Sequence, residues 1–265
     1  MKFTRYFYLS TIGLCLLIPG YSFAQHEGKN FLGVNFGISN FHIRDDHASP
    51  LSFRGTGIAP SLQYLCKNET DRHAVKLSYL YGYLGSNNSN FNTDNWRAEV
   101  KYSYVHSISG LNIFHKGGKF FLGISASSFL SLSDYHFIDD LHLAIKSWYW
   151  HHSVNAELLM ECALRKSEFV SLQLSVPMIS NISRPNYSPS KNYSYTTNTY
   201  KVDVFGKTEI VPNNFFLNTV LTYQTPIGES INLQIEYEFY YSLYNEPKEI
   251  IMYMNNIRAG LFLNL

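Results

Sequence analysis

Long runs of this 265-residue chain alternate apolar and polar residues one by one. In "WRAEVKYSY" (96–104), Trp96, Ala98, Val100, Tyr102 and Tyr104 fall on one side of an extended chain, and Arg97, Glu99, Lys101 and Ser103 on the other. "INLQIEYEF" (231–239) sets Ile231, Leu233, Ile235, Tyr237 and Phe239 against Asn232, Gln234, Glu236 and Glu238. "HAVKLSYLYGY" (73–83) and "FVSLQLSVPM" (169–178) repeat the pattern, with Val75, Leu77, Tyr79, Tyr81 and Tyr83 sharing one face and Val170, Leu172, Leu174 and Val176 another. A period of two sorts residues onto the two faces of a strand, and a helix scatters them. "SWYWHHSVNAELLMEC" (147–162) obeys the same rule. Trp148, Trp150, Val154, Ala156, Leu158, Met160 and Cys162 share a face, with His152 the polar exception, while Tyr149, His151, Ser153, Asn155, Glu157 and Glu161 lie opposite.

Ten such segments are predicted, over about 30–43, 55–66, 72–84, 95–115, 119–137, 141–165, 168–183, 213–225, 230–242 and 250–265, with ends good to about two to four residues. Short turns at 67–71, 115–119, 165–168 and 225–230 alternate with longer links at 44–54, 85–94, 184–212 and 243–249; the link near 138–140 is short between unusually long strands. A soluble β-sandwich also alternates. Its strands average about five or six residues, against about twelve or more in these segments. The polar face here also carries charge deep within segments, as in Arg97-x-Glu99-x-Lys101. Long strands, an even strand number and short turns at one end with long loops at the other describe an all-β, antiparallel up-and-down barrel that crosses a membrane.

The ends of the chain fit that architecture. Lys2 and Arg5 precede an apolar run from Tyr6 to Ile18, a Pro19-Gly20 break, and small residues at Ser22 and Ala24. Residues 1–24 are expected to be an export signal cut before Gln25, leaving 25–265 as one barrel domain. Leu14 before Cys15 does not fit lipoprotein processing. Two of the 21 Lys and Arg lie in the leader, so the remainder nearly balances the 20 Asp and Glu. No basic excess points to nucleic acid. Cys66 and Cys162 are too few for a disulfide scaffold; both fall on apolar faces near the short-turn ends. The 21 Tyr and 19 Phe suit strands and the membrane–water boundary.

Parity places ten charged residues in the lumen: Lys76, Arg97, Glu99, Lys101, Glu157, Glu161, Arg165, Glu236, Glu238 and Arg258. Their signs balance, which predicts a paired internal network and not an ion-selective ring. A barrel of about eight to ten strands is largely filled by its own side chains, so large passive flow is not expected. The link "RPNYSPSKNYSYTTNTYKVDVFGKTEIVP" (184–212) is rich in Tyr, Ser, Asn and Thr, a composition that suits adaptable contacts with an external ligand. No cofactor motif or diagnostic metal spacing appears.

Three resemblances can be stated. The whole mature chain, with "SVPMISNISRPNYS" (175–188), resembles small outer-membrane barrel proteins of Gram-negative bacteria of the Bacteroidota type, a group that carries architecture but no assigned activity. That likeness implies an outer-membrane address, contact with membrane lipid and lipopolysaccharide, and engagement of the barrel-assembly machinery by the C-terminal strand. In that strand, "NNIRAGLFLNL", the apolar face is Ile257, Ala259, Leu261, Leu263 and Leu265. Next, His151-x-Ser153 loosely resembles the His-x-Ser-Asn motif of lipid A deacylases, with Val154 standing where that motif has its asparagine. The resemblance implies Ser153 as nucleophile and His151 as base, and Glu157 lies further along the same face to orient the base. Finally, Asp134, His136, Asp139, Asp140 and His142 are similar in residue type to the mouth of omptin-like proteases, and a wet loop accounts for them equally. The leading expectation is a non-enzymatic surface protein using 184–212. Its alternatives are a lipid A or phospholipid acyl hydrolase and a narrow channel.

Overall fold

The computed structural model describes residues 29–87, 89–108, 118–136, 144–165, 168–185, 193–194, 199–200, 202–211 and 213–265. The leader expected at 1–24 and its cleavage point lie outside the described residues. The strands are β1 (Lys29–Asp45), β2 (Ser49–Ile58), β3 (Ser61–Lys67), β4 (Asp71–Ser86), β5 (Asn92–Ser107), β6 (Gly118–His136), β7 (Ala144–Ala163), β8 (Phe169–Ser183), the two-residue pair β9 (Tyr193–Ser194) and β10 (Thr199–Tyr200), then β11 (Lys207–Ile210), β12 (Asn214–Pro226), β13 (Ile231–Tyr244) and β14 (Ile250–Asn264).

β2 and β3 form one wall strand broken at Ala59-Pro60. Both pair with β1 on one side and β4 on the other. Pro60 has no N–H to donate, yet the ladder survives the break: Ala59 N–H donates to the Gly37 carbonyl at 2.9 Å, and Tyr79 N–H donates to the Pro60 carbonyl at 3.0 Å. Every wall strand is antiparallel to its neighbours. The ring runs β1, β2/β3, β4, β5, β6, β7, β8, β12, β13, β14 and back to β1, a closed barrel of ten strands. Closure leaves the wall without an open edge, which a strand structure needs in lipid.

Alternation decides which face looks where. Phe36 (69% exposed) and Ile257 (63% exposed) represent the outer wall, with Ile38, Ile124, Ile235, Leu261 and Leu263 also exposed there. Tyr81 and Trp96 pair on this face at 5.7 Å, and Phe215 and Tyr241 at 6.2 Å, all toward the ends of the strands that meet 87–91 and 245–249. Tyr64, Tyr102 and Tyr104 face outward toward the other end. An apolar band between two aromatic girdles is the outer surface of a transmembrane barrel.

Two features depart from the simple pattern. The predicted contrast between short turns and long links largely vanishes. The strands run on beyond their expected ends, so the links 46–48, 87–91 and 245–249 are as tight as 68–70, 164–168 and 227–230. At 46–48 Asp45 makes the turn itself: its carboxylate accepts from His47 N–H at 3.0 Å, and its carbonyl accepts from Ala48 N–H at 3.0 Å. β5, by contrast, stops at Ser107, short of its expected end near 115, so the link 108–117 is longer than the turn expected there; the connection from β8 to β12 is long as well, and β11 within it pairs back onto Ile179–Ile182 of β8. In addition, β8 carries a bulge. Asn155 faces Pro177 and Val154 faces Ile179, so Met178 is an extra residue. The parity of β8 therefore switches: Ser171, Gln173 and Ser175 face inward before the bulge, Ser180 and Ile182 after it.

The seam between the first and last strands is tight. A Cβ on Gly37 would lie 2.2 Å from the Ile257 carbonyl oxygen, and one on Gly260 would lie 2.3 Å from that of Val34. Gly85 has nothing within 4 Å of the corresponding position. Gly260→Val should therefore lower unfolding free energy by about 1–3 kcal/mol through overpacking against backbone. Gly85→Ala should stay within about 0.5 kcal/mol. Urea unfolding of the refolded barrel in lipid vesicles compares the two.

Candidate functional site

The lumen has two storeys. The one nearer the short turns and termini is charged. Glu236 on β13 accepts from Lys76 on β4, across the ring, at 2.7 Å, and from Arg258 on neighbouring β14 at 2.6 Å. Arg258 also donates to Glu238 at 2.5 Å and to the Ala59 carbonyl at 2.9 Å. Glu238 takes further bonds from Asn218 at 3.0 Å and Asn256 at 3.1 Å. Lys101 donates to Glu157 at 2.7 Å, and Gln173 donates to the same oxygen. Arg72 reaches Glu161 at 3.0 Å, with Lys67 at 3.8 Å. Arg97 meets Glu99 at 3.3 Å. These groups surround a cavity of about 90 Å³ lined by Lys67, Arg72, Lys76, Glu99, Lys101 and Glu161 among others, a space for a few water molecules.

Nine of the ten predicted lumen charges are thus brought inside. Arg165 is not. It lies beyond the end of β7, where strand parity no longer governs direction; its side chain is 81% exposed and stands 3.9 Å from Glu168 within the turn. Arg72 and Lys67 were missed, although each shares the inward parity of its strand: extending the alternation to the strand ends finds both.

The second storey is apolar, where a polar lumen face was expected throughout. Phe41, Ile43, Phe53, Leu84, Phe129, Tyr149, Tyr240, Met252 and Met254 point inward and form one buried cluster. Arg97 marks the floor of this plug. Its guanidinium lies 4.2 Å from the Phe129 ring centre and 4.1 Å from that of Tyr240, in the corner made by the two perpendicular rings. The physical reason is visible in runs such as "FYYSLY" (239–244) and "IIMYM" (250–254), where both faces are apolar and alternation no longer marks a polar side.

Above the plug, Arg184, which follows β8, donates to Asp45 of β1 at 2.7 Å, with both side chains buried. Asp45 also accepts from Ser147 of β7 at 2.9 Å, and Arg184 donates to the carbonyls of Glu246 at 3.0 Å and Lys248 at 2.5 Å. This set ties opposite sides of the mouth together. At the rim Lys207 meets Glu209 at 2.7 Å and Glu246 at 2.6 Å. Those carboxylates hold the ammonium above its ordinary range, and Lys207 in turn holds the Glu209 carboxyl below the usual carboxylate range.

His151 and Ser153 share an inward face but are not joined as base and nucleophile. The Ser153 hydroxyl is 2.9 Å from that of Ser127. His151 Nε2 is 3.1 Å from the Ser180 hydroxyl and 3.1 Å from the Asn214 amide nitrogen. The His151 ring is fully buried, with Phe129 and Phe216 each 5.1 Å away. Glu157 is engaged with Lys101 lower in the lumen. Asp134 pairs with Lys146 at 3.2 Å and His136 with Asp94 at 3.3 Å; Asp139, Asp140 and His142 lie outside the described residues. Among the described residues no group of three His, Cys, Asp or Glu is placed to hold a metal ion. Cys66 and Cys162 are free thiols on strands that are not neighbours.

A closed ten-stranded antiparallel barrel with an apolar outer wall and a charged lumen defines the class: this is a transmembrane β-barrel. Among solved structures the chain is similar to neisserial surface protein A (NspA), with 11% identity, a TM-score of 0.39, and coverage of 88% of this chain and 97% of that one. It is similar to the outer membrane protease OmpT from Escherichia coli, with 8% identity, a TM-score of 0.49, and coverage of 91% and 98%. It is similar also to the translocator domain of the autotransporter NalP from Neisseria meningitidis, with 9% identity, a TM-score of 0.49, and coverage of 98% and 96%. No protein-family model matches the chain, and no curated protein matches it in sequence.

Buried and rim charges should differ sharply in weight. Arg258→Met leaves Glu236 and Glu238 short of their shared cation and should destabilise the barrel by about 3–5 kcal/mol. Glu246→Gln breaks the exposed Lys207–Glu246 pair at the rim and should leave the urea midpoint nearly unchanged. Urea midpoints at constant m-value measure both.

Proposed function

We propose that the protein is a non-enzymatic barrel of a Gram-negative outer membrane that presents the segment 184–212 for contact with an external ligand. It is exported through the leader 1–24, and its C-terminal strand β14 engages the barrel-assembly machinery. The outer wall meets membrane lipid and lipopolysaccharide. The observation that carries the reading is the plugged lumen. An aromatic storey stacked on a paired-charge storey fills much of the lumen that the described residues form, which supports reading function from what the barrel displays.

The same observation speaks against the narrow channel. The geometry of Ser153 and His151 gives the acyl-hydrolase alternative no support either, because each is bonded elsewhere in a sealed interior.

Purified protein in a planar lipid bilayer should show no steady conductance. The double variant Phe129→Ala with Tyr240→Ala, which opens the plug around Arg97, should introduce a leak. Lipid A from cells with and without the protein should give the same mass spectrum. Stable conductance of the unaltered protein would restore the channel reading. Loss of an acyl chain that Ser153→Ala abolishes would restore the hydrolase.

A further inference from the structure

His152 is the polar exception on the apolar outer face of β7, and its partner explains it. Its Nε2 lies 2.9 Å from the carbonyl oxygen of Val204, and its ring centre is 5.3 Å from that of Phe205. On the next strand Asn181, also outward after the β8 bulge, grips Gly206 twice. Its amide donates to the Gly206 carbonyl at 3.0 Å, and its oxygen accepts from Gly206 N–H at 2.8 Å. Ser183 donates to the Asp203 carbonyl. The chain at 203–206 therefore crosses the outside of β8 and reaches β7 before entering β11. The crossing is close. A Cβ on Gly206 would sit 1.9 Å from the Ile182 carbonyl oxygen, so only glycine fits.

This crossing exposes large apolar side chains where an external loop would show polar ones. Phe205 is 73% exposed and Ile210 60% exposed, with Val211 beside them. The patch is continuous with Met178, Ile179 and Val154 of the outer wall, which are exposed as well. Trp150 packs 5.4 Å from His152 immediately alongside. Apolar groups beside an outward tryptophan at the rim of a barrel are in the position of an interfacial girdle.

We propose that residues 203–211 form a lipid-facing strap whose Phe205, Ile210 and Val211 enter the boundary of the outer leaflet, with lipid acyl chains as the occupant of this patch. The strap fixes the C-terminal root of the long segment to the bilayer and leaves only the part before it free to meet a ligand. This rests on the reading of the protein as an outer-membrane barrel.

Single-cysteine variants in a Cys66→Ser, Cys162→Ser background, nitroxide-labelled and reconstituted in phospholipid vesicles, test it. Collision with oxygen reports lipid, and collision with a water-soluble nickel complex reports water. Labels at Phe205 and Ile210 should match Ile257 on the outer wall and differ from Glu229 in the 227–230 turn. Adding Gly206→Val, with folding verified by gel mobility before and after heating, should move the Phe205 label toward the Glu229 values. If Ile257 reports lipid while Phe205 and Ile210 report water, the strap is overturned and the barrel reading stands. If Ile257 itself reports water, the transmembrane reading fails and the strap with it.

Discussion

Lys76, Glu236 and Arg258 hold the middle of the barrel together. Glu236 is buried between two cations, one on its neighbouring strand and one four strands away across the ring. A carboxylate in that position is tolerable only with its partners in reach. The requirement fixes which strands face each other across the lumen and how far apart they stand. Arg72 with Glu161 and Lys101 with Glu157 apply the same constraint lower down and around the wall. The charged storey is therefore a spacer as much as a filler.

The apolar storey above changes what the barrel can do. Water-filled lumens of transmembrane barrels are polar throughout. Here Arg97 packs on both Phe129 and Tyr240, and the mouth is tied across by Arg184 and Asp45. The filled interior supports the proposal that the protein neither conducts nor carries out chemistry inside the barrel. Arg184 at the start of the long segment between β8 and β12, and Asn181 bonded to Gly206 near its end, tie that segment to the barrel. If that segment binds a ligand as proposed, being tied at both ends reduces the conformational freedom it loses on binding.

The wall was legible in the sequence because a lipid-facing surface forces strict alternation. The outward residues of β4, β5, β13 and β14 are the ones the pattern assigns. What the pattern misjudged has separable causes. Arg165 stood past its strand, where parity gives no direction. The β8 bulge at Pro177–Ile179 reverses parity in mid-strand, and nothing in "SVPMIS" counts the extra residue. The inner plug was invisible because its residues lie where both faces are apolar. The pairing of Asp45 with Arg184 joins positions far apart in sequence and depends on closure of the ring. His151 and Ser153 were correctly placed on one inward face, but side-chain pairing within that face was beyond the alternation: Ser127 and Ser180, on the flanking strands, take the contacts.

The most direct test of the account is a double-mutant cycle on Lys76 and Glu236, using Lys76→Met and Glu236→Gln singly and together, with unfolding free energies measured in lipid vesicles. A cross-lumen pair that sets the spacing of the barrel predicts a coupling of about 1–3 kcal/mol. A coupling near zero, with each single variant folded, would contradict it and leave the lumen charges as independent, water-solvated groups.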